Sequence, residues 1–343
     1  MRRWMLVALS VLLLFAYGLI LRSCPAPINA PATEPTQAPT EETAEPSEET
    51  TIPKDTVPVE TEATTATEAP KVSVSHKPEV DPDYTLTARN AFVYDCSEEV
   101  LLYTLGDMQK QIAPASLTKL FTAYVALQYL DPQTVITCGE ETTWINPLSS
   151  VSWVFPGDRV TVALLIQGMM MQSGNDAAYA TAVAAGRVLA KDPEMDAKKA
   201  LAAFMDEVNT QAQALGLTGT HFSTPDGLDA FDHYTTTQDM LTIALLAMNQ
   251  PILRHYSSLA QTSVMYDTGE TYTYRSTNYL LLPESKYYCA DACGMKTGTT
   301  TKAGSCLMSL FHNGDRYILI GVFGCPQYED RFADALQLYA LYG

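Results

Sequence analysis

The amino-acid sequence predicts an α+β fold: one mainly antiparallel sheet flanked by helices, with a helical block inserted in its middle. Two observations predict this fold. Strand-like runs rich in Val, Tyr, Phe and Leu occur near both ends of the segment 83–343. The part between them instead carries apolar residues at helical spacing. Strands at both ends with helices between them are typical of a layered α+β domain.

The first strands are predicted at Asn90–Asp95 and Val100–Leu105, on either side of a turn at residues 96–99. The last strands are predicted at Gly294–Thr299, Ala303–His312 and Arg316–Phe323. The dipeptide Asn313-Gly314 separates two of these runs, and Asn-Gly is a strong signal for a tight hairpin.

The helices are predicted from apolar spacing and from their start and stop residues. A helix from Ser116 to about Leu130 follows Pro114-Ala115 and ends at Asp131-Pro132. The others are predicted at Val160–Met171, Asp176–Ala190, Asp192–Leu215, Thr235–Met248 and Arg331–Tyr342. We place the start of the fourth helix at Asp192-Pro193 and its end before Gly216, because proline favours the first turn and glycine the position after the last.

A linker is predicted at residues 25–82, ahead of the domain at 83–343. Residues 25–80 hold ten of the twenty prolines, eleven threonines, eleven acidic residues and no aromatic residue. Such a composition buries too little apolar surface to offset the entropy of ordering, which predicts disorder. The chain has a net charge of −18, which argues against nucleic acid or anionic lipid as a partner.

The N-terminal segment 1–24 predicts export. An apolar run from Trp4 to Leu21 follows two arginines, and the positive-inside rule then places the bulk of the chain outside the cytoplasm. The run has a length compatible with a membrane anchor, which we favour, or with a cleaved signal peptide. Cys24 leaves a third possibility open, lipidation. All three place the domain outside the cytoplasm, tethered to the membrane or secreted to the wall.

Seven cysteines are present, and in an exported domain some of them could oxidise. Cys289 and Cys293 have a spacing that invites a metal site, but no further ligands follow at a suitable spacing. We therefore expect buried thiols or one local disulfide, and neither a metal nor another cofactor.

Three short motifs carry the candidate chemistry: Ser116-Leu117-Thr118-Lys119, Ser173-Gly174-Asn175 and Lys296-Thr297-Gly298. Each is common by itself, and their joint occurrence in this order is specific. On a helix, Ser116 and Lys119 share one face. A serine needs a base to become a nucleophile, and a lysine becomes one when burial or a second cation, such as Lys296, lowers its pKa. The helix start near Ser116 also favours developing negative charge.

Residues 87–343 resemble the D-alanyl-D-alanine carboxypeptidases, the low-molecular-mass penicillin-binding proteins of peptidase family S11. The three motifs carry this resemblance together with the segments His221–Asp229 and Ser276–Leu281. The resemblance implies a fold like that of β-lactamases and DD-peptidases. It also implies removal of the terminal D-alanine from peptidoglycan stem pentapeptides through an acyl-enzyme, inhibited by β-lactam antibiotics.

The resemblance further implies roles for single residues. Ser116 is the nucleophile, Lys119 takes its proton, and Ser173 relays a proton to the leaving D-alanine. The backbone N–H groups of Ser116 and Thr299 would form the oxyanion hole. The residues implied to bind substrate are Asn175, Lys296, Thr297, Gly298, Thr299 and Arg331. Many relatives add a β-rich domain and a C-terminal anchor after the catalytic domain; here we expect the N-terminal segment to replace that anchor.

Competing interpretations are weaker. His221 and His233 could suggest a Ser-His-Asp triad, but we expect both histidines to be structural. A class A β-lactamase needs an added glutamate for deacylation, and no Glu-x-x-x-Asn segment lies at a fitting position between Ser173 and Lys296. An endopeptidase that cuts cross-links is a closer rival. A catalytically idle wall-binding domain remains the alternative outside enzymes.

Overall fold

The computed structural model describes residues 85–314 and 316–343. Five antiparallel strands form its main sheet: β1 (Asn90–Asp95), β2 (Val100–Leu105), β9 (Ala292–Thr300), β10 (Gly304–Asn313) and β11 (Arg316–Cys325). The strands are ordered β2-β1-β11-β10-β9, so the two ends of the domain meet where β1 pairs with β11. Asn313 pairs with Arg316 across the turn that joins β10 to β11, which confirms the predicted hairpin.

The remaining elements lie between β2 and β9, apart from the last helix. The helices are α1 (Thr118–Ala126), α2 (Val162–Met171), α3 (Asn175–Ala190), α4 (Ala197–Ala214), α5 (Thr237–Met248), α6 (Pro251–Ser258) and α7 (Asp330–Tyr342). The short strands are β3 (Gln111–Ile112), β4 (Val135–Thr137), β5 (Arg159–Thr161), β6 (Thr235–Thr236), β7 (Gln261–Met265) and β8 (Thr271–Arg275). The predicted α+β fold with an inserted helical block is therefore confirmed.

The main sheet separates two apolar cores. On one side, Phe92, Leu310 and Leu319 belong to a cluster that includes most buried side chains of the helical block. On the other side, Val93 and Ile320 pack with Phe332 of α7. Both sides of β10 and β11 are thus buried, which explains why these strands are apolar along nearly their whole length.

Helix α1 lies inside the helical block. All of its residues except Tyr124 are buried, including Lys119. The helix begins later than predicted, because Ala115–Leu117 forms a single 3₁₀ turn ahead of it. It also ends at Ala126 rather than near Leu130. Lys119 is therefore shielded from bulk water, so its ammonium needs hydrogen-bond partners inside the domain.

Some predicted boundaries were wrong. Helix α4 does not start at Asp192-Pro193, because Asp196 caps it by accepting hydrogen bonds from the backbone N–H groups of Lys198 and Lys199. The residues around Asp192 form a turn instead. Helix α6 and the hairpin of β7 and β8 were missed. The alternation of threonine and tyrosine at residues 271–274, next to Gly269, was the available signal in the sequence.

The predictions for residues 1–24 and 25–82 fall outside the described part of the chain. In residues 85–314 and 316–343, no helix has both the length and the apolar character needed to cross a membrane. The six cysteines in this part are all free thiols, and Cys138, Cys306 and Cys325 are buried. The expected buried thiols are thus present there, while Cys24 lies outside.

Candidate active site

The turn that carries Ser116 is held in an unusual backbone conformation. Ala115, directly before the serine, has φ +51°, in the left-handed region that is costly for a residue with a Cβ. The Thr118 hydroxyl donates to the Ala115 carbonyl at 2.9 Å and so fixes this turn. Behind it, Thr118 Oγ1 also lies 3.0 Å from His233 Nε2. These contacts hold Ser116 in place, half-buried, two residues before the first residue of α1.

His233 packs behind this turn and away from the serine hydroxyl. Its Nδ1 accepts hydrogen bonds from the backbone N–H groups of Ser223 and Thr224, at 3.1 and 3.3 Å. Burial lowers the pKa of His233 to about 4, so the ring is neutral at physiological pH. These contacts give His233 a structural role and provide no Ser-His-Asp triad.

Lys119 connects three parts of the site. Its ammonium donates to Ser116 Oγ at 2.9 Å, to Asn175 Oδ1 at 2.7 Å and to the carbonyl of Asp226 at 2.7 Å. The side chain is completely buried. All three ammonium protons therefore have acceptors, and one of these acceptors is the candidate nucleophile.

Burial lowers the pKa of Lys119 from 10.5 to about 8, although the carboxylates of Asp226 and Asp176 favour the charged form. Of the two causes that the sequence suggested, burial and a second cation, burial is therefore the main one. A lysine with a pKa of about 8 is neutral in about a tenth of the molecules at pH 7. The neutral amine can accept the proton of Ser116 across the same 2.9 Å contact.

The second motif lies at the start of α3. Ser173 has φ +59° and is 6% exposed, and Asn175 is the first residue of the helix. The Asn175 amide donates from Nδ2 to Ser149 Oγ at 2.8 Å, while its oxygen accepts from Lys119. Asn175 therefore links Lys119 to the segment that contains Ser149.

Asp176 anchors the segment that follows Ser149. Its buried carboxylate accepts hydrogen bonds from the backbone N–H groups of Ser152 at 2.8 Å and Val154 at 3.0 Å. Burial raises the pKa of Asp176, and these N–H groups oppose that effect. The start of α3 and one wall of the site are thus held as one unit.

The third motif lies on β9, beside the serine. A Cβ at Gly298 would lie 2.9 Å from the backbone nitrogen of Ser116, so the strand passes this turn at a distance that favours glycine. Thr297 Oγ1 lies 2.6 Å from Thr277 Oγ1. Lys296 is completely buried and donates to the carbonyl of Thr297 at 2.9 Å.

Lys296 is the second cation of the site. Burial lowers its pKa well below the ordinary value, and the neighbouring cations Lys119 and Arg331 lower it further. Two buried lysines and a buried arginine in one region make the site attractive to a negatively charged ligand. A ligand carboxylate would relieve the repulsion among them.

Arg331 reaches the same strand from α7. Its Nη1 donates to Thr299 Oγ1 at 2.8 Å and to the carbonyls of Gly298 at 3.0 Å and Cys306 at 3.3 Å. The Tyr328 ring stacks 3.9 Å from the guanidinium. Burial lowers the pKa of Arg331. The arginine thus contacts the end of the third motif and fixes the Thr299 side chain.

These elements surround a cleft of about 280 Å³. Ser116, Asn175 and Thr299 line it together with the exposed Leu148. The other six predicted residues are buried and do not line the cleft: Lys119, Ser173, Lys296, Thr297, Gly298 and Arg331. A larger cleft of about 710 Å³, next to Cys138 and Arg187, contains none of the nine predicted residues.

The loop Asp226–Asp229 belongs to the candidate site, although none of its residues was predicted to have a role there. It lines the cleft, and its first carbonyl accepts from Lys119. A Cβ at Gly227 would lie 1.9 Å from the Ala115 carbonyl, so the loop packs directly on the serine turn. The match of this segment to the family pattern was the available signal.

The described residues contain no group of three or more His, Cys, Asp or Glu side chains that could hold a metal ion.

The fold and the site place the chain among the DD-peptidases of the penicillin-binding class. The DD-transpeptidase of Streptomyces K15 superposes with a TM-score of 0.67 at 27% identity, covering 76% of this chain and 98% of that one. Penicillin-binding protein D2 of Listeria monocytogenes, in its cefotaxime-bound form, superposes with a TM-score of 0.61 at 27% identity, over 76% and 99%. The predicted β-lactamase/DD-peptidase-like fold is confirmed.

The family follows from the sequence comparisons. The D-alanyl-D-alanine carboxypeptidase family, peptidase S11, matches residues 75–326. D-alanyl-D-alanine carboxypeptidase DacA of Escherichia coli K12 is 32% identical over 280 residues, 78% of this chain and 62% of its own length. For DacC of the same strain the identity is 32% over 243 residues, 68% and 56%. The chain belongs to this family, and it spans less than two thirds of these E. coli relatives.

Proposed function

We propose that this protein is a serine-type D-Ala-D-Ala carboxypeptidase that removes the terminal D-alanine from peptidoglycan stem pentapeptides. The observation that carries the proposal is the 2.9 Å contact between Ser116 Oγ and Lys119 Nζ, a completely buried lysine with a pKa near 8. A serine in contact with a lysine that can lose its proton near neutral pH is equipped to form an acyl-enzyme.

In the proposed acylation step, Ser116 Oγ attacks the carbonyl between the two D-alanines and transfers its proton to Lys119. The backbone N–H groups of Ser116 and Thr299 stabilise the oxyanion, a contribution of about 3–4 kcal/mol in similar sites. The C–N bond then breaks, Ser173 relays a proton to the leaving D-alanine, and an ester on Ser116 remains. Water hydrolyses the ester and restores the serine.

The substrate's terminal carboxylate would lie near Lys296, Thr297 and Thr299. Lys296 is buried, donates to the Thr297 carbonyl and forms no ion pair with a carboxylate among the described residues. Arg331 adds positive charge and holds the Thr299 hydroxyl at 2.8 Å. Gly298 allows β9 to approach the serine, and Asn175, which lines the cleft, would bind the substrate amide.

β-Lactam antibiotics would acylate the same serine, since they present a strained amide next to a carboxylate. The cefotaxime-bound form of the Listeria neighbour supports this part of the proposal. We expect the penicilloyl ester to be released slowly, because no glutamate in a class A arrangement was found to activate water. Rapid turnover of penicillin would favour a β-lactamase instead.

The acylation rate should depend on pH through Lys119. The neutral amine is the active form, so kcat/KM is expected to rise with pH to a plateau, with an apparent pKa near 8. The measurement is second-order acylation by a fluorescent penicillin between pH 5 and 10. A rate that is flat across this range would contradict Lys119 as the base.

Replacing Arg331 with alanine should raise KM for the peptide more than it slows acylation by penicillin. It should also lower the thermal midpoint, because the carbonyl of Gly298 and the Tyr328 ring lose a buried partner. Arg254→Ala is the control, since the Arg254 guanidinium also packs over a tyrosine but at the surface. Unchanged peptide kinetics in Arg331→Ala would remove this residue from the site.

The activity itself is tested by measuring D-alanine release from a synthetic stem pentapeptide, with Ser116→Ala as the inactive control. A cross-linked dimer of stem peptides is the second substrate. Release of D-alanine that depends on Ser116 supports the carboxypeptidase. Cleavage of the dimer alone would instead identify an endopeptidase, and no reaction with either substrate would leave a wall-binding domain.

We further propose that the domain acts outside the cytoplasm, tethered to the membrane through segment 1–24, with nucleic acid excluded as a partner. The two arginines ahead of an apolar run support this orientation. Mass spectrometry of the mature N-terminus distinguishes an intact anchor, a lipidated Cys24 and a cleaved signal peptide. Recovery of the intact chain in the cytosolic fraction would contradict export.

A further inference from the structure

A second cleft, of about 550 Å³, is rich in positive charge. Arg89, Lys110 and Lys302 line it, together with the fully exposed ring of Phe231. One carboxylate, that of Asp107, also lines it and accepts a hydrogen bond from the backbone N–H of Gln109 at 2.9 Å. Three cations thus face one carboxylate in a concave surface.

This concentration of cations contrasts with the chain's net charge of −18. Elsewhere on the surface, Arg275, Lys286 and Arg316 each form an ion pair with a carboxylate. Within the described residues, the three cations of the second cleft have no such partner. A concave site with an excess of one sign of charge raises the local concentration of ligands of the opposite sign.

The second cleft adjoins the reactive cleft. Thr299, Thr300 and Thr301 line the reactive cleft, and the next residues, Lys302 and Ala303, line the second one. One carboxylate fixes this turn, because Asp229 accepts from Thr300 Oγ1 at 2.6 Å and from the backbone N–H of Lys302 at 2.9 Å.

Arg89, which lines the second cleft, supports the same turn. Its guanidinium donates from Nη2 to the carbonyl of Ala303 at 2.8 Å. The wall between the two clefts is therefore held at both ends, by Asp229 and by Arg89. A ligand that passes over it meets a preformed surface.

The order of the proposed contacts along β9 sets the direction of the substrate. Its terminal carboxylate would lie near Lys296, Thr297 and the Thr299 side chain, and its scissile carbonyl at the backbone N–H of Thr299. The acyl-side peptide, which precedes the scissile bond, then continues past Thr300 toward Lys302. We propose that the second cleft binds carboxylates on this acyl-side peptide, so that the enzyme prefers stem peptides that carry acidic groups on the N-terminal side of the scissile bond. This inference rests on the proposed function.

The test compares two synthetic pentapeptides that both end in D-Ala-D-Ala. One carries a glutamate with a free carboxylate on the N-terminal side of D-Ala-D-Ala, and the other carries glutamine at that position. We expect wild-type kcat/KM for D-alanine release to be about fivefold higher for the acidic peptide at low salt, since each exposed ion pair contributes modestly. The preference should shrink at 0.5 M salt because the charges are screened.

The double variant Lys110→Gln/Lys302→Gln should lose the preference while it keeps the wild-type rate on the glutamine peptide. The matched control, Lys198→Gln/Lys199→Gln on the exposed start of α4, should keep the preference. If the wild-type enzyme processed the two peptides at equal rates, the proposal would be overturned. A preference for the acidic peptide that survives in the double variant would also overturn it. Failure of the proposed function differs from both, because neither peptide would then release D-alanine.

Discussion

Replacing Lys119 with methionine is expected to slow acylation of Ser116 by a factor of about 10² to 10⁴, the usual contribution of a positioned general base. Methionine has a similar length and suits a completely buried position, but it cannot accept a proton. The measurement is the second-order rate of labelling by a fluorescent penicillin, together with D-alanine release from a pentapeptide. Both should fall together, because both reactions begin with attack by the same hydroxyl.

The fold should survive this change. The buried ammonium carries a desolvation penalty that methionine removes, while Asn175 Oδ1 and the Asp226 carbonyl lose a donor. These effects oppose each other, so we expect only a small shift in thermal midpoint. Lys199→Met, on the exposed start of α4, is the control and should change neither rate nor midpoint. Acylation at the wild-type rate in Lys119→Met would exclude this lysine as the base.

The sequence predicted the parts of the fold that depend on local pattern. The hairpin at Asn313-Gly314 and the strands on either side of it follow from turn chemistry and apolar runs. The hairpin of β7 and β8 was missed because its residues are mostly exposed or half-buried, so little apolar pattern marks it. The start of α4 was misplaced because Asp192-Pro193 has the pattern of a helix start, whereas the residue that caps the helix is Asp196, four positions later.

The candidate site also has a local part, which the sequence could predict, and a long-range part, which it could not. The contact of Ser116 with Lys119 is local, three positions apart on one helical face, and could be predicted from spacing alone. The other contacts of Lys119, to Asn175 and to the Asp226 carbonyl, span 56 and 107 positions in the chain. A backbone carbonyl has no sequence signature as an acceptor, so only the fold reveals that the loop at Asp226 holds the base.

That loop should also be the most sensitive backbone element of the site. Replacing Gly227 with alanine is expected to slow acylation by about 100-fold, the typical cost of misplacing a reacting group by about 1 Å. The new Cβ would lie 1.9 Å from the Ala115 carbonyl and 2.9 Å from Thr118 Oγ1. Because both atoms shape the turn before Ser116, the clash must displace either the loop or the serine turn.

Gly269→Ala is the matched control for this change. Gly269 has φ +84° and Gly227 has φ +87°, so alanine suffers similar left-handed strain, about 1–2 kcal/mol, at either position. Nothing lies within 4 Å of a Cβ at Gly269, however, so only the steric contact with the serine turn differs. We expect Gly269→Ala to lower the thermal midpoint slightly and to keep the wild-type acylation rate. If both variants lost stability alike and kept that rate, the serine turn would not depend on Gly227, and its position would be set by the Thr118 hydroxyl and by packing around α1.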